Sequence, residues 1–176
     1  SPESFSEENI KDNISKECKK IFITTKGVIQ PLYINDKIKT LAEIEVLDFI
    51  YNKSSKEPEK YALIDTRKFS WFEDETIPSA LNVPFEDLVY DEDFKDEFEK
   101  AYSNLGIKIV DIEKNKFDFT NAKNVVFFCN GPWCTISSKS IDYLLKLGYP
   151  ENKIMWYRGG MLDWNAMSLT TTKKMK

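Results

Sequence analysis

The sequence predicts an α/β fold, a largely parallel sheet flanked by helices, preceded by an N-terminal helix and β-hairpin extension. Three observations carry this expectation. Short apolar runs end abruptly in polar or turn-forming residues, at Tyr61–Ile64, Val125–Phe128 and Lys153–Tyr157. Amphipathic helical patterns alternate with those runs from residue 40 onward. No internal repeat and no flexible interdomain linker interrupts the alternation, and 176 residues suit one ordinary domain with a modest extension.

The elements follow in order. Ile10, Ile14, Cys18 and Ile21 share one helical stripe, so Cys18 reads as a small apolar packing residue. Ile21–Thr25 and Val28–Ile34 flank Lys26-Gly27, which suggests a hairpin, with Pro31 marking an edge strand. Thr40-Leu41-Ala42-Glu43 has the pattern of a capping box and opens a helix to about Tyr51, with Ile44, Leu47 and Ile50 or Tyr51 inward. Residues 52–60 read as a solvated loop. Tyr61–Ile64 is a buried strand delivering Asp65-Thr66-Arg67. Thr76–Pro84 is a turn and a brief strand stopped by Pro84.

Between Glu86 and Lys100 lie eight acids and two lysines, while Phe94, Phe98, Ala101, Tyr102 and Leu105 share a helical face. The acids are therefore the wet side of an amphipathic helix. Ile107–Ile112 alternates like a strand, with a turn at Asn115-Lys116. Val125–Phe128 is a buried strand leading into Cys129. A helix then runs from about Thr135 to Leu147, with Ile141, Leu144 and Leu145 on its apolar face and Gly148 as its left-handed stop. Lys153–Tyr157 is a strand, Arg158-Gly159-Gly160 a turn, and Leu162, Trp164 and Met167 belong to a short helix. Residues 168–176 read as a frayed tail.

Composition narrows the chemistry. A net charge of −4 argues against nucleic acid or an anionic membrane surface as partner. No apolar run is long enough to span a bilayer. Histidine is absent, which removes Cys-His and Ser-His-Asp mechanisms and histidine-containing metal sites. Three cysteines are too few and too uneven for a disulfide framework. Of 25 basic residues only Arg67 and Arg158 are arginine.

In open α/β sheets, sites form at the carboxyl ends of strands. Asp65-Thr66-Arg67, the Cys129 loop and Arg158-Gly159-Gly160 would all arrive at that edge. Cys129 is the candidate nucleophile. A free thiol has a pKa of about 8.5, and only its thiolate is a useful nucleophile. Without histidine, activation must come from loop N–H groups and the start of the helix near Thr135. The same cradle would hold an anionic persulfide. Gly131 permits the turn, Pro132 stiffens it, and Trp133 is placed to wall the pocket.

These segments carry a family resemblance. Tyr61–Arg67 resembles the "hydrophobic-Asp-x-Arg" strand of rhodanese domains, and Thr76–Pro84 resembles their "G-H-I-P-G-A-x-N-I-P" segment. Val125–Cys129 is similar to the strand entering their catalytic loop. Leu147-Gly148-Tyr149 and Arg158–Trp164 resemble their "L-x-x-x-G-[FY]" and "G-G-x-x-x-W" segments. The resemblance covers about residues 38–167, and the chain is similar to exported bacterial members with a Cys-Asn-Gly-Pro-Trp-Cys loop. It implies a rhodanese-like fold and a sulfurtransferase: sulfane sulfur passes from a donor to Cys129 and on to a thiol or cyanide acceptor. Substrate-binding roles would fall to Asn130, Gly131, Pro132, Trp133, Cys134 and Thr135, with Arg158 and Arg67 nearby. No cofactor or metal is implied.

Departures from the family pattern matter. Thr76 stands where the family often has histidine, and Glu75 and Ser79 replace glycines. Residues 130–135 contain no lysine or arginine, which disfavours thiosulfate relative to polysulfide or a small persulfide; Arg158 is a candidate for the missing charge. Arg67 is either part of the site or one half of a structural ion pair. Cys134 either turns inward, where it could attack a Cys129 persulfide, or is a passive loop residue. An arginine six positions after the cysteine would mark a cysteine phosphatase or arsenate reductase; residue 135 is threonine. The remaining alternative is a catalytically silent module that binds a partner or senses redox state through Cys129 and Cys134, against which stands a cysteine at the loop's first position.

The expected organisation is an extension over 1–37, a rhodanese-like domain over 38–170 and a tail over 171–176. The extension would cover a sheet edge or mediate homodimerisation. The expected partners are a small-molecule sulfur donor and a thiol acceptor. The first residue, Ser1, and the resemblance suggest an exported, periplasmic protein, with the cytoplasm as the alternative.

Overall fold

A computed structural model describes residues 30–173. The elements are β1 (Lys39–Leu41), α1 (Glu43–Phe49), β2 (Tyr61–Asp65), α2 (Phe69–Asp74), β3 (Leu81–Asn82), α3 (Lys95–Asn104), β4 (Lys108–Asp111), β5 (Lys116–Asp118), β6 (Asn124–Phe128), α4 (Ile136–Leu147), β7 (Ile154–Tyr157) and α5 (Gly160–Ala166). A five-stranded sheet has the order β1-β7-β6-β2-β3, and every neighbouring pair is parallel. The antiparallel pair β4-β5 forms a separate ribbon. No helix among the described residues is long and apolar enough to cross a membrane.

Strand alternation sorts the core into two layers. Val125 and Phe127 of β6 join Ala62, Ile64, Ile154 and Trp156 against Phe98, Ala101 and Tyr102 of α3 and Ile141 and Leu144 of α4. Val126 and Phe128 join Leu63 and Tyr157 against Val46 and Phe49 of α1, Phe72 of α2, and Met161 and Trp164 of α5. Both faces of the sheet are therefore covered, as a parallel sheet requires. That explains why β6 reads as an uninterrupted apolar run.

The connection from β2 leads to β3 on one side, and that from β6 leads to β7 on the other. The sheet thus has its topological switch point between β2 and β6, and a crevice opens beyond their carboxyl ends. Asp65 and Phe128 face each other in register there, immediately before Thr66 and Cys129.

Several expectations are corrected. The N-terminal helix and most of the hairpin lie outside the described residues; of the hairpin's second strand, residues 30–34 form no strand. The capping box sits two residues later than expected: Thr40 and Leu41 belong to β1, and the backbone N–H of Ala42 donates to Glu45 Oε2 at 2.9 Å. Ile44, Leu47 and Tyr51 are exposed, and Val46 and Phe49 face inward instead. Six apolar residues crowd this helix and its extension, and the stripe carrying Phe49, edge-on to Tyr61, is the one that packs. Residues 50–54 continue the helix as a π turn rather than starting a loop. Phe94 is exposed, because 3-10 turns at 85–88 and 92–94 precede α3 and break the helical phase. Met167 is also exposed. Residues 168–173 are not frayed: Thr76 and Thr172 exchange backbone hydrogen bonds of 2.9 Å, and Trp164 Nε1 donates to the Thr170 carbonyl.

Candidate active site around Cys129

The carboxyl end of β2 is a hydrogen-bonded clip. Asp65 and Arg67 form a bidentate buried pair, Nε to Oδ1 at 3.0 Å and Nη2 to Oδ2 at 2.7 Å. The Arg67 N–H also donates to Asp65 Oδ1, and Thr76 Oγ1 donates to Asp65 Oδ2 at 2.7 Å. Arg67 Nη2 further donates to the Glu75 carbonyl. Asn82 Nδ2 donates to the carbonyls of Asp65 and Arg67, so β3 is tied into the same clip. Thr76, the family's frequent histidine position, thus serves as a second donor to a buried carboxylate. Ser79 holds φ of +66°, a conformation in which glycine carries no penalty and which accounts for the family's glycine there.

Thr66, between those two charged residues, reaches to the next strand. Its N–H and Oγ1 donate to the Phe128 carbonyl at 3.0 and 2.8 Å. The last peptide before Cys129 is therefore held from the β2 side.

From the other side, the turn after β7 closes on the loop. The N–H groups of Met161 and Leu162 donate to the carbonyls of Cys129 and Asn130 at 3.0 and 2.8 Å. This approach is so close that a Cβ at Gly160, whose φ is +57°, would lie 2.3 Å from the Cys129 carbonyl oxygen and 2.9 Å from Gly131 N. Only glycine fits, which gives the doubled glycine Gly159-Gly160 its purpose.

The loop folds on itself. Cys134 N–H donates to the Gly131 carbonyl at 2.9 Å, making a turn. The Trp133 ring lies over Gly131, where a Cβ would meet the indole at 2.4 Å. Cys129, Trp133 and Cys134 are buried, Asn130 and Pro132 are half-buried, and Thr135 is exposed. Cys134 turns inward and is disulfide-bonded to Cys129, with Cα atoms 6.2 Å apart. That is the reverse of a passive loop position. Among the described residues, the N–H groups of Asn130, Gly131 and Trp133 find no hydrogen-bond acceptor. The twelve-residue α4 begins directly after, at Ile136, and its N-terminal potential adds to theirs.

The two arginines are held differently. Arg67 is buried in its pair with Asp65. Arg158 donates through Nη2 to the Gln30 carbonyl at 2.7 Å and through Nε to the Pro31 carbonyl at 3.0 Å. The segment it holds lies on the loop, since Gln30 N–H donates to the Pro132 carbonyl at 2.7 Å and Ser138 Oγ donates to Gln30 Oε1. Through these bonds Arg158 clamps residues 30–31, and because its partners are neutral carbonyls it keeps its positive charge beside the segment that contacts the loop.

Thr66, Gly160 and Gln30 also position the loop, and apart from the doubled glycine at Gly160 the sequence does not mark them as doing so. Nothing local signals Thr66 or Gln30, because their partners are 62 and 102 residues away.

A separate groove of about 740 Å³ lies beside β3 and α3. Its walls include Phe69, Tyr90 and Phe94, with Glu86, Asp87, Asp91, Glu97 and Lys100 as charged members, and no residue of the Cys129 loop. Partial burial, with Glu86 and Glu97 nearby, pushes the Asp87 carboxyl up to about 6.

The comparisons agree with this architecture. Residues 50–167 match the model of the rhodanese-like domain family, and the chain belongs to that family. Among solved structures, a protein from Bacillus halodurans superposes with a TM-score of 0.50 at 16% identity, covering 78% of each chain. A thiosulfate sulfurtransferase from Pseudomonas aeruginosa gives 0.50 at 17% identity, over 79% of this chain and 21% of its own. A rhodanese-like domain from Anabaena gives 0.47 at 19% identity, over 77% and 80%. At these identities the likeness is one of fold. No curated protein matches the chain.

Proposed function

We propose that this protein is a sulfurtransferase that carries sulfane sulfur as a persulfide on Cys129. The donor is a polysulfide, a small persulfide or thiosulfate, and the acceptor a thiol or cyanide. The observation that carries the reading is the placement of Cys129 at the carboxyl end of the central strand β6, at the switch point of the sheet. There the carbonyls on either side of the Cys129 N–Cα bond are both tied down, Phe128 by Thr66 and Cys129 by Met161. A fixed backbone keeps the sulfur in one position, and N–H groups without other acceptors favour the anionic persulfide. The absence of a cation from residues 130–135 supports a polysulfide or persulfide donor over doubly charged thiosulfate.

The test is incubation of the reduced protein with polysulfide or with thiosulfate, followed by intact-mass analysis and a cyanide assay for thiocyanate. Cys129 should gain cyanide-labile sulfur, with polysulfide the better donor, and Cys129→Ser should gain none. If neither the reduced wild-type protein nor its Cys134→Ser variant gains sulfur from either donor, the reading fails.

The Cys129–Cys134 bond favours a second reading, a module that senses redox state without transferring sulfur. It also supports the proposal of an exported protein, since such bonds persist in oxidising compartments. A reduced protein that takes up no sulfur but changes its binding of a partner on oxidation would favour this second reading.

A further inference from the structure

We infer that Cys134 is a resolving thiol that converts the Cys129 persulfide into free sulfide, making the protein a dithiol-dependent sulfide-releasing enzyme; this rests on the persulfide reading above.

The argument begins with the loop turn. The bond from Cys134 N–H to the Gly131 carbonyl folds residues 131–134 back, and the Trp133 ring lies against Gly131. This brings the Cα of Cys134 to 6.2 Å from that of Cys129, within the usual range for a bridged pair, and the two sulfurs are bonded. The sulfur of Cys134 therefore occupies the ground from which the Cys129 sulfur is attacked. Gln30 N–H is bonded to the Pro132 carbonyl on the loop, and in the bonded pair Cys129 is 2% exposed. A persulfide formed there meets an intramolecular thiol before a bulky external acceptor.

The step balances. The thiolate of Cys134, its proton released to solvent, attacks the inner sulfur of the Cys129 persulfide. The Cys129–Cys134 bond forms, the bond to the outer sulfur breaks, and the outer sulfur leaves as hydrosulfide. The sulfane sulfur gains two electrons and the cysteine pair loses them. A dithiol reductant closes the cycle. It attacks Cys134, which at 8% exposure is the less buried residue of the pair, and Cys129 departs as thiolate. The second thiol of the reductant then frees Cys134 and leaves as the reductant's own disulfide. The nucleophile is thus regenerated in its reactive form.

The experiment uses the reduced full chain, freed of reductant under anaerobic conditions and mixed with a small excess of polysulfide. Aliquots are acid-quenched over time for intact mass and sulfide. Wild-type protein should pass through a form heavier by one sulfur atom and finish lighter than the start by two hydrogens. It should release about one more equivalent of sulfide than Cys134→Ser under the same donor. The Cys134→Ser and Cys134→Ala proteins should stop at the persulfide, with a lifetime at least about tenfold longer, until external thiol is added. A wild-type persulfide that persists as long as that of both variants would overturn the inference while leaving sulfur transfer intact. Uptake of no sulfur by wild type or variants would instead remove the persulfide reading itself. Far-ultraviolet circular dichroism of both variants confirms that they fold.

Discussion

Thr66 donates two hydrogen bonds, from its N–H and its Oγ1, to the carbonyl oxygen of Phe128, the residue that precedes Cys129. The link crosses from β2 to β6 at the point where the sheet ends and the loop begins. It makes the position of the thiol a property of two strands rather than of one.

Thr66→Val should weaken that link while preserving shape. Removing the hydroxyl deletes one donor from a buried carbonyl that keeps its other partner, for a loss of about 1 kcal/mol. Urea unfolding should show a lowered midpoint with an unchanged slope, and sulfur loading should slow. Loading at the wild-type rate would show that the hydroxyl does not position the loop.

Asp65→Asn should be the more damaging change at the same strand end. Arg67 would lose its bidentate carboxylate partner while remaining buried, which costs roughly 3–5 kcal/mol when one member of such a pair is removed. A stability within about 1 kcal/mol of wild type by chemical denaturation would refute the structural assignment of this pair.

Gly160→Ala tests the contact between α5 and the loop. The added carbon would approach the Cys129 carbonyl oxygen to 2.3 Å and would also sit at a positive φ. We expect destabilisation of more than about 2 kcal/mol and the loss of cyanide-labile sulfur on Cys129. Gly148→Ala, at the end of α4 with its nearest side-chain neighbour 3.6 Å away, should cost stability through its own positive φ but leave sulfur loading intact. Equal effects on loading at both positions would contradict a specific role for Gly160.

Asp87 gives a pH signature away from the loop. Its carboxyl is pushed up from 3.8 to about 6, mainly by burial. A folded-state pKa above the unfolded one means that the folded protein binds the proton more tightly. This contribution is complete below about pH 4 and is lost as pH rises through 6. Asp87→Asn should therefore stabilise the protein at pH 8 relative to wild type, and the gain should shrink at pH 5. A pH-independent difference in melting temperature would show that the residue does not titrate in this way.

The strands and helices that carry the site were legible locally. β2, β6, β7 and α4 are short apolar or amphipathic runs bounded by residues with one structural meaning, such as Gly148 at φ of +99°. The chain ends of α1 and α3 were less legible. Thr40 is consumed by β1, and the acidic stretch before Lys95 forms 3-10 turns instead of helix. In both places tertiary pairing outweighs a local preference that is weak in itself.

What the sequence determined by itself is the α/β class, the strand that presents Cys129 and the absence of any histidine or loop cation to activate it. Its local patterns are sufficient for that, because alternation and turn chemistry act over a few residues. Only the tertiary structure decided the direction of Cys134, the pairing of Arg67 with Asp65 and the turning of Arg158 toward residues 30–31. A side chain's direction depends on the curl of its loop and on partners brought in from elsewhere in the chain. For Arg158 those partners lie 127 and 128 residues away, and no pattern in a local window encodes them.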